Sequence, residues 1–136
     1  MKDTFDYPVA CNPNNSVIVS ACAGSGKTWL LVARMVRLLL AGAKPQEILA
    51  LTFTRKAAQE MRDRLYGLLE QFSQMTDEQL LQELTIRGLD DAQAKQLLPQ
   101  ARVLYLKVLM SPQSIVIDTF HGWFGRLLGA APISAE

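Results

Sequence analysis

The chain has 136 residues and is poor in the residue types that build covalent frameworks and metal centres. It contains two cysteines and one histidine, and no metal-ligand spacing is present. Two cysteines cannot form the disulfide framework of a small secreted domain. We therefore expect a reduced, intracellular protein, and specifically a cytoplasmic one.

The chain also lacks a large charge excess and a long apolar run. Fourteen basic residues stand against thirteen acidic ones, which excludes binding of nucleic acid by bulk charge alone but not by a local basic track. The most apolar stretch, residues 29–40, is interrupted by Arg34 and Arg37 and is too short to span a bilayer. The N-terminus has no signal-peptide core, so we expect no membrane partner. With 49% apolar residues, the composition is typical of one globular domain.

Strand and helix patterns alternate along the chain. Residues 16–20, 48–54 and 114–118 are short apolar runs of the kind found in buried parallel strands. After the first run, residues 29–42 are apolar except for one arginine face, which predicts a nearly buried helix closed by Gly42. After the second run, an apolar stripe at helical spacing predicts a further helix. The stripe consists of Ala57, Met61, Leu65, Leu68 and Leu69. The order predicts an α/β fold with a parallel sheet and flanking helices.

Residues 72–112 interrupt this alternation and carry no catalytic constellation. Thr76 begins a capping-box pattern, which predicts a short helix to about Arg87. Residues 90–93 indicate another helix start, and we expect Pro99 to kink or split the helix that follows. We interpret this region as a helical insertion between strands.

A small-residue stretch, ACAGSGKT at residues 21–28, joins the first strand to the first helix. Backbone N–H groups in such a loop form an anion cradle, and the helix N-terminus adds partial positive charge. Gly24 and Gly26 permit the tight backbone, while Ala21 stands where the pattern has glycine. We expect Lys27 to contact the β- and γ-phosphates of a nucleotide and the Thr28 hydroxyl to bind Mg²⁺. The predicted nucleotide-binding residues are Ala21, Cys22, Ala23, Gly24, Ser25, Gly26, Lys27 and Thr28.

Hydrolysis of a nucleotide needs a carboxylate pair after an apolar strand, and this pair is not found. Asp118 alone follows an apolar run, and its neighbour is Thr119 rather than glutamate. The adjacent Asp77 and Glu78 lie in a helix cap. Two alternatives stay open at this point. One is a small P-loop kinase in which Asp118 serves Mg²⁺, and the other is a nucleotide-gated binding module without turnover.

Two further motifs place polar and aromatic residues where parallel strands end, which is the edge at which such sheets bind ligands. They are LTFTRKAAQEM after the second strand and DTFHGWFGRLL after the third. Hydroxyl and basic groups hold phosphates, and an aromatic ring stacks on bases. Judged alone, the motif is equally consistent with Phe53 as a core residue of the strand. His121 has no partner acid or nucleophile in the sequence, so we assign it no acid–base role. The candidate residues are Thr52, Phe53, Thr54, Arg55, Thr119 and His121.

Taken together and in order, AxAGSGKT, LTFTRKAAQEM and TFHGWFGRLL resemble the superfamily 1 DNA helicases of the UvrD/Rep type. The branch that looks most similar is that of the RecB-like helicase–nuclease subunits. The resemblance covers residues 12–130 and implies the N-terminal part of a first RecA-like domain, a P-loop NTPase fold. It implies a motor that uses ATP and Mg²⁺ and binds single-stranded DNA through the six candidate residues. No glutamine precedes Gln46, so the adenine contact of many relatives has no counterpart here.

The resemblance also carries expectations for the whole protein. It implies a 3′–5′ DNA helicase that acts on single-stranded and duplex DNA in double-strand break repair and recombination. It implies in the same way an exonuclease domain in the full-length chain and a partner helicase–nuclease subunit. Such helicases need an Asp-Glu pair, arginines that sense the γ-phosphate and a second RecA-like domain. None is found in these residues, so we expect an N-terminal fragment.

We therefore predict that the purified 136-residue chain binds nucleotide weakly and does not hydrolyse ATP. The physical reason is that no carboxylate is available to activate water and no second domain closes over the nucleotide. Phosphate release is measured with and without single-stranded DNA. A clear DNA-stimulated ATPase activity would overturn the fragment interpretation.

Overall fold

The fold, given by a computed structural model, is described for residues 17–21 and 25–129, with side chains from Thr28 onward. The strands are β1 Val17–Ala21, β2 Ile48–Thr52 and β3 Val116–Thr119. The helices are α1 Ser25–Leu40, α2 Arg55–Gln74, α3 Asp77–Ile86, α4 Asp91–Leu109 and α5 Phe120–Gly129. A 3₁₀ turn, Pro45–Glu47, precedes β2. Within these ranges, no helix is both long and apolar enough to cross a membrane.

The three strands form a parallel sheet in the order β1-β2-β3. Their register aligns the strand ends, because Ala21 lies opposite Thr52 and Thr52 lies opposite Thr119. The predicted parallel α/β arrangement is confirmed for this sheet. The third strand differs in its bounds, since it begins at Val116 rather than at residue 114 and includes Thr119.

Residues 31–40 of helix α1 are all buried except Arg37, as the sequence pattern predicts. Arg34 is also buried, and desolvation lowers the pKa of its guanidinium, with the charge of Arg37 lowering it further. The helix ends in a Schellman motif around Gly42, whose φ is +110°. The Ala43 N–H donates to the Leu38 carbonyl at 3.0 Å, which satisfies a carbonyl that the helix leaves unpaired. The predicted closure of this helix by Gly42 is confirmed.

Helix α2 packs one stripe of side chains against the sheet and against α4. The Thr54 hydroxyl caps the helix by accepting the Ala57 N–H at 3.0 Å. Leu68 is half-buried rather than part of the core, and it lines a side groove with Trp29. Three residues of the predicted stripe, Met61, Leu65 and Leu69, are buried. Ala57 and Leu68 are half-buried, and Ala58 takes the core position next to Ala57. The buried residues are Ala58, Met61, Leu65, Leu69 and Phe72.

The two helices of the insertion begin where the sequence predicts. Thr76 accepts the Gln79 N–H at 3.2 Å, and Asp90 accepts the Gln93 N–H at 2.8 Å. In both cases the glutamine side chain returns a bond to the capping residue, which completes a capping box. Local side-chain chemistry thus determines both starts.

The sequence predicts a kink or a split at Pro99, and the split is wrong, because α4 is one helix with Pro99 inside it. Proline removes the N–H that would bond to the carbonyl of Lys95, four residues earlier. Lys95 is exposed and Pro99 is not in the core, so water can satisfy that carbonyl. Ala94 and Ala101 are buried on either side of the proline and hold both halves of the helix against the core.

The connection between α3 and α4 is packed against α1. The Arg87 guanidinium lies 5.2 Å from the Trp29 ring centre and pairs with Glu83 at 2.7 Å. The next residue, Gly88, has a φ of +108°, and a Cβ atom there would lie 3.0 Å from Nη1 of Arg37. Glycine adopts this conformation without steric strain, and its lack of a side chain leaves room for the Arg37 guanidinium.

We predict that Gly88→Ala destabilises the chain by about 1–2 kcal/mol, because alanine is strained in the left-handed region and meets Arg37. Thermal unfolding followed by circular dichroism measures the change.

Gly67→Ala is the matched control. Gly67 lies inside α2, and a methyl group added there would meet no atom within 4 Å, so alanine is expected to stabilise the helix by about 0.5–1 kcal/mol. A loss of stability in both variants, or in neither, would contradict the conformation assigned to Gly88.

Candidate functional site

The C-terminal ends of the three strands form one edge of the sheet, and α1 begins at this edge. Within the predicted phosphate loop, Cys22, Ala23 and Gly24 lie outside the described residues. The side chains of Ser25 and Lys27 lie outside them as well. Thr28 is buried near the start of α1, and the first turn of this helix has no acidic residue that would repel an anion. These two features do not oppose an anion at the start of α1, and the nucleotide roles of residues 21–28 stay a prediction.

At the end of β2, Thr52 is fully buried and its hydroxyl has a structural use. The hydroxyl donates to the Thr54 carbonyl at 2.8 Å and lies 3.5 Å from the Asp118 carbonyl. It therefore fixes the turn that leads from β2 into α2. Thr54 is exposed, but its hydroxyl caps α2. The two threonines hold the turn in place.

The residue between these threonines faces solvent. Phe53 is 66% exposed, so it is not a core residue and that alternative is wrong. Its ring centre lies 5.0 Å from that of Phe120, and the two ring planes meet at 42°. Most of the Phe53 ring is open to solvent in spite of this contact. Arg55 follows at the exposed start of α2. An exposed ring beside a guanidinium is suited to stacking on a base and pairing with a phosphate.

A second set of polar contacts forms the turn from β3 into α5. Thr119 is buried, and its hydroxyl caps α5 by accepting the Gly122 N–H at 2.9 Å. One oxygen of Asp118 accepts the Thr119 N–H at 2.7 Å, and the other pairs with Nη2 of Arg126 at 2.7 Å. His121 is exposed on the first turn of the helix.

A groove of about 620 Å³ runs between the start of α2 and α5 and brings the two motifs together. Its charged and aromatic lining residues include Phe53, Arg55, Arg62, Asp118, His121 and Arg126. The lining includes three guanidinium groups and one carboxylate, so the groove is locally basic although the net charge of the chain is only +1.

The wall of the groove is held by Arg62, which joins α2 to β3. Its Nη2 donates to the Ile117 carbonyl at 2.5 Å, and its Nη1 donates to Gln59 at 3.2 Å. Tyr66 lies one turn further along α2, and burial raises the pKa of its hydroxyl while the Arg62 charge opposes the rise. These contacts fix the distance between the two motifs.

The motifs did not predict a role for Arg62 or Arg126, and they predicted only a metal-binding role for Asp118. The ion pair of Asp118 and Arg126 has one signal in the sequence, namely an acid at a strand end followed by an arginine two turns into the next helix. Both carboxylate oxygens of Asp118 already have partners, the Thr119 N–H and the Arg126 guanidinium. This disfavours a role of Asp118 in binding Mg²⁺. In the part of the chain with described side chains, no group of three or more His, Cys, Asp or Glu residues could hold a metal ion.

Comparison with known proteins gives relatives for the first half of the chain. An ATP-dependent helicase/nuclease subunit of Leuconostoc mesenteroides is 41% identical over 64 residues, which are 47% of this chain and 5% of that protein. The protein of the same name from Oceanobacillus iheyensis is 50% identical over 60 residues, or 42% of this chain and 5% of that protein. The one from Latilactobacillus sakei is 44% identical over 64 residues, or 47% of this chain and 7% of that protein.

The chain thus spans 5–7% of the length of these relatives. No solved structure matches it. A family model described as the UvrD/REP helicase N-terminal domain matches residues 2–132. That match covers both strand-end motifs and the predicted phosphate-loop segment at residues 21–28. The resemblance inferred from three motifs is confirmed, and the chain belongs to the UvrD/REP helicase N-terminal domain family.

Proposed function

We propose that the chain is the nucleotide-binding part of a RecA-like P-loop motor domain in an ATP-dependent DNA helicase. One observation carries this proposal, namely the alignment of the three strand ends at one edge. The phosphate-loop segment, the Phe53 motif and the Thr119 motif each follow one of these strands. Neighbouring strands lie about 4.8 Å apart, so the first and third strand ends are about 10 Å from each other. Nucleotide and nucleic acid would bind side by side.

The nucleotide would bind at the start of α1. Backbone N–H groups of residues 22–26 would surround the phosphates, and the Lys27 ammonium would contact the β- and γ-phosphates. The Thr28 hydroxyl would hold Mg²⁺, which when bound neutralises charge on the phosphates. The burial of Thr28 and the absence of acidic residues from the first turn of α1 support this assignment. Lys27 and Thr28 are the residues to which we assign the catalytic contribution of this chain.

Single-stranded DNA would bind along the groove between α2 and α5. Phe53 offers a ring for base stacking, while Arg55 and His121 offer exposed polar groups at the same edge. Thr52, Thr54 and Thr119 would act mainly by holding the two turns, since their hydroxyls bond to backbone groups. Backbone groups of these turns complete the proposed contact with the strand.

For the whole protein we propose a helicase that works with a nuclease activity in the processing of DNA breaks. The relatives are named as ATP-dependent helicase/nuclease subunits, and this name suggests a partner protein. Movement in the 3′–5′ direction and a role in recombination rest on the family resemblance.

The two alternatives differ from this proposal in their behaviour toward DNA. A small kinase would use Asp118 at the metal, whereas that carboxylate is engaged by Arg126. A nucleotide-gated binding module would bind nucleotide without responding to DNA. Binding of single-stranded DNA by the groove therefore separates the helicase proposal from both.

We predict that Phe53→Ala weakens binding of a fluorescent oligo(dT) to the chain by about 5- to 150-fold. The reason is that stacking of one base on an aromatic ring contributes about 1–3 kcal/mol. Fluorescence anisotropy measures the affinity of the purified chain, and Phe53→Trp is expected to keep it.

Met110→Ala is the control, since Met110 is a large apolar side chain that is 74% exposed and does not line the groove. It should leave the affinity unchanged. An oligo(dT) that binds the wild-type chain and the Phe53→Ala variant equally well would place the strand elsewhere and reject the proposed interface.

A further inference from the structure

Arg126 combines high exposure with a fixed position. Its side chain is 66% exposed on α5 and lines the groove, yet its Nη2 lies 2.7 Å from Oδ2 of Asp118. That carboxylate oxygen is buried and accepts no hydrogen bond from the described residues, so the contact is an ion pair that is shielded from solvent on the side of the acid. An exposed arginine commonly samples many rotamers, whereas this one is anchored at its tip.

The anchor is itself held by the backbone of the turn. Oδ1 of Asp118 accepts the Thr119 N–H at 2.7 Å. Gly122 passes close to both residues, because a Cβ atom there would lie 3.0 Å from Oδ1 of Asp118 and 2.9 Å from the Thr119 hydroxyl. The direction of the carboxylate is therefore determined by the turn and not by the solvent.

The guanidinium of Arg126 keeps donors for a second acceptor. Arginine has five N–H donors in one plane, and the contact with Asp118 is made through Nη2 alone. The nearby Arg62 differs, because both of its terminal nitrogens donate to groups of the chain. Arg126 is thus built to receive an anion in the groove, and Arg62 is built to hold the wall.

We propose that Asp118 is a positioning residue for the nucleic-acid strand, which orients Arg126 so that its remaining N–H groups bind a backbone phosphate. This inference rests on the proposed function of the groove. Fixing a long side chain in advance lowers the entropy that binding must otherwise overcome. The Arg126 side chain is 66% exposed and that of Asp118 only 23%, so the guanidinium is the more accessible of the two charges in the groove.

Simple electrostatics and positioning give opposite expectations for Asp118→Asn. Removal of a negative charge from a basic groove should strengthen binding of a polyanion. If Asp118 positions Arg126, the same change should weaken binding by about 2- to 12-fold, which corresponds to immobilising one flexible side chain. Asparagine can still accept the Thr119 N–H, so the turn itself is retained.

The experiment measures oligo(dT) affinity of the purified chain by anisotropy over a series of potassium chloride concentrations. Arg126→Ala is expected to weaken binding and to reduce the slope of log affinity against log salt by about 0.7, the value for one phosphate on a single strand. Asp118→Asn alone should bind oligo(dT) more weakly than the wild type. Added to Arg126→Ala, it should cause no further loss of affinity. This loss of additivity is not expected from a merely structural ion pair.

The exposed pair Glu60 and Arg64 on α2 supplies matched controls, since its ions lie 3.1 Å apart and do not line the groove. Glu60→Gln and Arg64→Ala should leave the affinity nearly unchanged and the salt slope unaltered. Tighter or unchanged binding by Asp118→Asn overturns the positioning role while leaving the groove proposal intact. A wild-type chain that does not bind oligo(dT) overturns both.

A glycine pair tests the same arrangement without altering charge. Gly122→Ala would push the Asp118 and Thr119 side chains, and we expect it to lower the affinity for oligo(dT) and to reduce the salt slope as Arg126→Ala does. Gly125→Ala on the same helix has no atom within 4 Å of the new methyl group and should change neither. Thermal unfolding of each variant checks that it is folded. A folded Gly122→Ala variant with wild-type affinity and slope contradicts the proposal.

Discussion

The alignment of three parallel strand ends is the constraint on which the rest of the site depends. Because Ala21, Thr52 and Thr119 lie in one row, α1, α2 and α5 all begin at the same edge of the sheet. The N-terminus of each helix carries partial positive charge. One edge therefore gathers three helix starts and a basic groove in a chain whose overall charge is close to zero. A shift of one strand by a single residue would turn its side chains to the opposite face and separate the motifs.

The threonines of the two strand-end motifs explain how this edge can be both rigid and open. Thr54 and Thr119 each cap the helix that follows them, and Thr52 bonds to the turn between β2 and α2. Because these hydroxyls satisfy backbone groups, the turns need no covering element. Phe53 can then face solvent at the edge. The motif combines residues that hold the turn with residues that are open to contact with a ligand.

The features that the sequence predicts well are local ones. Thr76 and Asp90 mark helix starts because a cap and its partner lie three residues apart, and Gly42 marks a helix end for an equally local reason. The exposure of Phe53 and the groove around Arg62 and Arg126 depend on how α2 and α5 pack beside β3, which no spacing in the sequence reveals. The continuity of α4 through Pro99 has the same origin. The cost of the proline depends on whether the freed carbonyl meets water, and that depends on which face of α4 is buried.

The packing of α1 indicates how a nucleotide at its N-terminus would act on the rest of a motor. Helix α1 is buried between the sheet and the insertion, where Arg87 lies over Trp29 and Arg37 lies against Gly88. Close-packed elements of this kind do not slide by small amounts without losing contacts along their whole length. Changes at the phosphates would therefore move the sheet, α1 and the insertion together. In the proposed motor such a unit would rotate as a rigid body, and the groove beside β3 would move with it.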